Sequence, residues 1–381
     1  MPLLGWPLLV TLGLATVACT LLTLLLWSRV RGPQPARVGQ RVGLVVAGQL
    51  AAVLFVAAAL NDYGYFYGSW SELFGTTAVS GTAVVHAAAA RVGGRHGGTP
   101  LAASFDPSLA GIDSWSTPSQ WATRGRVEAM TVVGAHSGLS EAAVVYLPPQ
   151  YFQKAYSAKR FPAVEVMTGY PGATRALVSR MQYPDVLLSQ IEAHLARPMV
   201  LVMLRPTAAP PRDTECTDVP GGPQVLTFLG EDVPRAISRV LRVTPVGWGA
   251  MGDSTGGYCA TKLILTHSSV FTAGASLSGY YHTLKDGTTG DLWGGSSVLR
   301  NLNDPEWLLR HQPAPPVSLF ATIGSGEVSG TGLRDTRRFV ALVHAPMSVT
   351  TVVIPGGGHN FRAWATMMPR ALDFLSAHLG A

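Results

Sequence analysis

Charge is scarce in this sequence: Asp, Glu, Lys and Arg make up 13% of 381 residues, and the mean hydropathy is positive at +0.25. A soluble domain ordinarily carries about a quarter charged residues, so membrane segments are expected. Lysine is nearly missing, at positions 154, 159, 262 and 285 only. The net charge of +6 offers no nucleic-acid face, because Arg29, Arg31, Arg37 and Arg41 crowd into one short loop. Cysteine occurs at Cys19, Cys216 and Cys259, with no C-x-x-C pair and no metal-ligand spacing. The histidines are scattered, so no metal site is expected, and no motif asks for a cofactor. There is no internal repeat.

What the sequence has instead begins with two apolar runs. Gly5 to Trp27 is uncharged and Leu-rich over about 23 residues, long enough to cross a bilayer with some tilt. A cleaved signal peptide wants basic residues before the run, and Met1 to Trp6 has none. A second run, 42–60, has Gln49 as its only strongly polar member. The four arginines lie between the runs, and no Lys or Arg follows until Arg91. The positive-inside bias then puts that loop in the cytoplasm and both termini outside. Residues 1–61 therefore read as a membrane anchor. Tyr63, Tyr65, Phe66, Tyr67, Trp70 and Phe74 follow as an interfacial belt, and 75–120 reads as a small-residue tether with a helical stretch at 79–92.

From 121 to the C-terminus the texture alternates between strands and helices, the pattern of an α/β domain on a mainly parallel sheet. Strands are expected at 128–134, 142–147, 163–167, 199–204, 246–251, 273–277, 317–323 and 349–354. One helix is expected over 225–240, with Glu231 and Asp232 on its solvated side, and another closes the chain at 362–379. The stretch that organises the domain is Gly252-Asp253-Ser254-Thr255-Gly256, a G-x-S-x-G pattern between an apolar strand and a helix. In such an elbow the serine hydroxyl stands above the sheet at a helix N-terminus, and the glycines let strand and helix approach.

A serine nucleophile needs a base, and a carboxylate to orient that base. His359 follows three glycines in Pro355-Gly-Gly-Gly-His359, after the last strand and before the last helix. His344, in a loop, and His378, late in the final helix, are less well placed. The acid should follow strand 317–323, where Glu327 is nearest. Asp335 is the alternative, although it could equally cap the next helix or pair with Arg337 and Arg338. Two backbone donors are needed for the oxyanion. Thr255 supplies one, and the loop Gly169-Tyr170-Pro171-Gly172 supplies the other through Tyr170, since Pro171 has no N–H.

Thr227-Phe228-Leu229, Asp232-Val233-Pro234, Gly252 to Gly257 and Gly358-His359-Asn360 together make 126–381 resemble the esterase D group of α/β-hydrolases. That group includes the antigen 85 mycolyltransferases, enterobactin-type esterases and formylglutathione hydrolases. The resemblance implies an α/β-hydrolase fold and a triad of Ser254, Glu327 or Asp335, and His359. The mycolyltransferases carry Ser-Trp after their histidine, whereas this chain has Asn360-Phe361.

These readings converge on a membrane-tethered, extracytoplasmic serine hydrolase of an ester or thioester, without metal, cofactor or nucleic acid. An envelope acyltransferase and an inactive hydrolase-fold scaffold are the alternatives. In an oxidising compartment two free thiols near one site would be unusual, so Cys216 and Cys259 are expected to be bonded. Closing that loop would contribute about 3–4 kcal/mol in the chain-entropy model.

Overall fold

The computed structural model describes residues 5–64, 70, 83–86, 109, 111–207, 212–328 and 330–380. The chain divides into two compact units, Met1–Thr77 and Ala78–Ala381. The first is a helical hairpin of α1 (Trp6–Leu26) and α2 (Gln34–Gly64), both long and apolar enough to cross a membrane. The Gly5 amide donates to Asp62 Oδ1 at 2.7 Å, tying the start of α1 to the end of α2. Leu14, Val17, Leu24, Leu50, Val53 and Leu60 all face outward, and among the described residues only Leu8 and Ala58 are buried hydrophobics of the hairpin.

The second helix begins well before the apolar run at 42. Pro35 stands in its first turn, and Ala, Arg and Gln propagate helix well, so Arg37 and Arg41 join α2 rather than a loop. The Arg41 guanidinium lies over the Trp27 ring, 4.9 Å from its centroid. The aromatic belt falls, apart from Trp70, outside the residues whose side chains are described.

The second unit holds a nine-stranded sheet in the order β1-β2-β3-β5-β4-β6-β7-β8-β9. The strands are β1 (Ala83–His86), β2 (Arg126–Val133), β3 (Ser140–Leu147), β4 (Ala163–Met167), β5 (Val200–Leu204), β6 (Trp248–Asp253), β7 (Phe271–Leu277), β8 (Ser318–Gly324) and β9 (Ser348–Ile354). Among them β3 alone runs antiparallel to its neighbours. Both faces are covered. On one, Ala163 and Met167 join Tyr258, Leu263 and Ile264 of the helix Thr255–Thr266 in one core. On the other, Val164 and Val166 join Leu372 and Leu375 of the terminal helix Phe361–His378. Burial on two faces explains why β5, Val-Leu-Val-Met-Leu, is an unbroken apolar run.

Three local readings of the sequence give way to packing. Within 79–92 the described residues form β1, parallel to β2, in place of a helix, in keeping with the β preference of Val84-Val85. Leu109 and Ile112, in the stretch read as a tether, are buried in the sheet's core. The expected helix 225–240 is interrupted by a π-turn over Phe228–Asp232. Asp232 is fully buried there, accepting from the His136 and Ser137 amides and from Ser137 Oγ at 2.7–3.1 Å. Three donors replace the water that a solvated carboxylate would have had.

Candidate active site

Strand β6 delivers Ser254 at its carboxyl end, and the helix Thr255–Thr266 starts on the next residue. Ser254 has φ +53° and ψ −119°, a left-handed conformation that a non-glycine residue adopts only when its surroundings impose it. The imposing contacts are close backbone approaches. A Cβ on Gly252 would come within 2.6 Å of the Met167 carbonyl oxygen, and one on Gly256 within 2.3 Å of the same atom. The elbow and the end of β4 are thus pressed together, and both positions need glycine.

The loop after β9 brings His359 over the serine. Its Nε2 lies 2.8 Å from Ser254 Oγ, and its Nδ1 lies 2.7 Å from Glu327 Oε2. With a carboxylate accepting at Nδ1, the proton sits on that nitrogen and Nε2 is left to accept from the serine hydroxyl. Glu327 hangs from the end of β8, and its other oxygen, Oε1, accepts from Ser278 Oγ at 2.6 Å and the Gly324 amide at 2.9 Å. Burial pushes the Glu327 carboxyl up, but the hydrogen bonds from His359, Ser278 and Gly324 outweigh it and hold its pKa below the ordinary value. The Trp364 ring meets the His359 ring edge-on at 5.1 Å between centroids.

Asp335 lies elsewhere. Fully buried at the start of the helix Leu333–Val340, it accepts from the Tyr281 amide at 3.0 Å and lies 2.7 Å from His282 Nδ1. It does not cap that helix, whose N-cap is Gly332. His282, Glu306 and Asp335 do converge, with ligand-type atoms within 4.8 Å of one another, a cluster that spacing along the chain does not reveal. Arg338 donates to both carboxylates and Arg310 to Glu306, so guanidinium groups already supply the counter-charge. His344 Nδ1 contacts its own loop at Leu342 O, and His378 Nδ1 the Phe374 carbonyl.

Thr255 is the first residue of its helix, so its amide is one of those that a helix leaves without an intrahelical acceptor. Tyr170 stands in the turn after β4, which the Gly172 amide closes onto the Gly169 carbonyl at 2.9 Å. The Gly169 amide is already engaged, donating to Asp253 Oδ2 at 2.9 Å.

Several polar residues at the site went unread in the sequence. Asp253 occupies a variable position of the serine motif and so carried no signal. It is almost wholly buried, and burial pushes its carboxyl up to about 7, against the opposing pulls of the Gly169 amide and His359. Asp213 Oδ2 accepts from Thr255 Oγ1 at 3.2 Å. Lys262, fully buried two turns on from Thr255, donates to the Glu215 carbonyl, Thr217 Oγ1 and Asn303 Oδ1 at 2.8–3.1 Å. Burial drives the Lys262 ammonium down and the Glu215 carboxyl up. The Cys216–Cys259 disulfide, with Cα atoms 5.9 Å apart, ties this acidic segment to the same helix. The run of acids around Cys216 was the available clue.

Comparison with known proteins places this geometry in context. Residues 138–375 match the Esterase family model, described as "Putative esterase". An S-formylglutathione hydrolase from Agrobacterium tumefaciens is 15% identical, with TM-score 0.57 over 68% of this chain and 96% of that one. A ferulic acid esterase is 18% identical, with TM-score 0.57 over 68% of this chain and 100% of the other. A fluorophosphonate-binding serine hydrolase of Staphylococcus aureus is 15% identical, with TM-score 0.53 over 66% and 98%. At these identities the solved structures speak to the fold alone. No curated protein matches the chain.

Proposed function

This chain belongs to the Esterase family and is a carboxylic ester hydrolase of the α/β-hydrolase fold, and from that premise we propose a membrane-tethered, extracytoplasmic serine hydrolase of a carboxylic ester or thioester. The observation that carries the chemistry is the unbroken line from Glu327 through His359 to Ser254, at 2.7 and 2.8 Å. Ser254 Oγ attacks the acyl carbon while His359 Nε2 takes its proton, and Glu327 steadies the imidazolium that forms. The Thr255 and Tyr170 amides receive the developing oxyanion. Collapse expels the alcohol or thiol, which takes the proton back from His359. Water, activated by the same nitrogen, then releases the acid and frees the serine.

The location rests on other features. The apolar runs 5–27 and 42–60 bracket Arg29, Arg31, Arg37 and Arg41, which supports an anchor at residues 1–61 with its arginine-bearing end in the cytoplasm. The stretch between this anchor and β1 would then carry the catalytic domain outside. A disulfide in that domain is in keeping with an oxidising compartment. Hydrolysis is preferred over acyl transfer because Asn360-Phe361 stands where the mycolyltransferases carry Ser-Trp.

The test is hydrolysis of p-nitrophenyl acetate and butyrate by the detergent-solubilised full chain. The reading expects Ser254→Ala and His359→Ala to fall at least about 10³-fold in kcat while remaining folded. Turnover by Ser254→Ala within about tenfold of the unaltered protein would reject Ser254 as the nucleophile.

A further inference from the structure

Among the buried carboxylates to which the mechanism above gives no task, Asp253 stands next to the nucleophile. It immediately precedes Ser254, Oδ2 accepting from the Gly169 amide at 2.9 Å and Oδ1 having no hydrogen-bond partner among the described residues. Gly169 opens the turn that the Gly172 amide closes, so Tyr170 and Pro171 form its tip. The turn presses on the elbow. A Cβ at Gly169 would come within 2.9 Å of Ser254 Cβ and 3.0 Å of Asp253 Oδ2. No side chain can therefore act as a spacer at that position, and the hydrogen bond to Asp253 is the tie between this turn and the strand that carries the serine.

The two halves of an oxyanion hole face different problems. The Thr255 amide is fixed by its helix, on the residue next to the nucleophile. The Tyr170 amide sits on a loop, and a shift of a few tenths of an ångström there weakens a donor that acts only on the transition state. A carboxylate on the residue before Ser254 makes the loop travel with the nucleophile.

We infer that Asp253 is a positioning residue: through the Gly169 amide it holds the 169–172 turn so that the Tyr170 N–H addresses the acyl oxygen of a substrate on Ser254. The inference rests on the roles proposed above for Ser254 and Tyr170. Because the oxyanion exists only in the transition state, the loss belongs in kcat and not in KM. It also belongs to the acceptor and not to the charge. An asparagine at 253 can offer its carbonyl oxygen to the Gly169 N–H, and an alanine cannot.

The experiment compares Asp253→Ala, Asp253→Asn and the unaltered full chain on p-nitrophenyl acetate, with thermal melts to establish folding. Asp253→Ala is expected to lose about 10²-fold in kcat with KM within about twofold, the scale of one oxyanion donor. Its rate constant for labelling by a fluorophosphonate should fall in parallel, since that reaction also charges an oxygen in the hole. Asp253→Asn is expected to keep kcat within about fivefold. Unchanged kcat in a folded alanine variant, a loss confined to KM, or an asparagine variant as slow as the alanine one would each overturn the inference. Should the alanine variant fail to fold, the asparagine variant decides alone: a fall beyond about tenfold in a folded protein refutes the acceptor role, and near-normal kcat upholds it. If the unaltered chain takes no label at Ser254, it is the nucleophile reading that has failed, a separate outcome.

Discussion

Replacing Glu327 by glutamine is the sharpest perturbation of the proposed triad, because the two residues have the same shape. The amide oxygen can still accept from Ser278 Oγ and the Gly324 amide, which now bond Oε1 at 2.6 and 2.9 Å. The NH2 group then faces His359 Nδ1, where Oε2 stands 2.7 Å away. Two donors cannot share that contact, so the imidazole must carry its proton on Nε2. That nitrogen, 2.8 Å from Ser254 Oγ, can then no longer take the serine proton. A wrong tautomer of this kind costs about 10⁴-fold in serine proteases, or roughly 5.5 kcal/mol of transition-state stabilisation. The fold should barely notice, since two of the three hydrogen bonds survive. Asp335→Asn should behave in the opposite way. It leaves His282 without its buried carboxylate and Arg338 with Glu306 alone, and should cost about 1–3 kcal/mol of stability, while the folded fraction keeps its kcat. Steady-state kinetics on p-nitrophenyl esters beside thermal melts of both variants would separate the effects. Equal kcat in Glu327→Gln and the unaltered protein would refute the assignment, as would a greater kcat loss in folded Asp335→Asn.

Other expectations concern stability and topology. Glu165 on β4 is fully buried with neither oxygen partnered among the described residues, and burial holds its carboxyl well above the ordinary range. The folded state therefore keeps a proton that the unfolded chain releases, and stability falls as pH rises above about 4.5. Glu165→Met should raise Tm at pH 7, worth about 1–3 kcal/mol, with a smaller gain at pH 4. A variant less stable than the parent at pH 8 would count against that. Serine at both Cys216 and Cys259 opens a loop of 43 residues and should cost about 4 kcal/mol by chain entropy; an unchanged melting curve would contradict it. Alkaline phosphatase fused after Ala381 should be active, whereas a fusion that works only with a cytoplasmic reporter would reverse the proposed orientation.

The elements around the site were legible where local chemistry and tertiary packing ask for the same residues. Glycines flanking Ser254, with an apolar strand before and a helix after, spell a turn that few other sequences satisfy, and the order of strands locates the loops carrying Glu327 and His359. Polar residues satisfied from afar were not legible. Asp232 on a helical stretch reads as solvated, because burying a carboxylate is costly unless donors converge on it. Here they come from His136 and Ser137, far along the chain. Lys262 and Asn303 meet in the same manner, as do Asp253 and Gly169. Periodicity assigns a face to a residue, whereas the partners on that face depend on topology. β1 was misread for a related reason, since four residues of a strand carry too short a pattern to distinguish from a helix.

The central claim is that Ser254 is a nucleophile activated by His359. Its most direct test is a fluorophosphonate reaction on the solubilised full chain, followed by digestion and mass spectrometry of the labelled peptide. The account predicts one adduct, on the peptide containing Ser254, formed quickly at pH 8 and lost in His359→Ala. An adduct on another serine, or none on a folded protein, would contradict it.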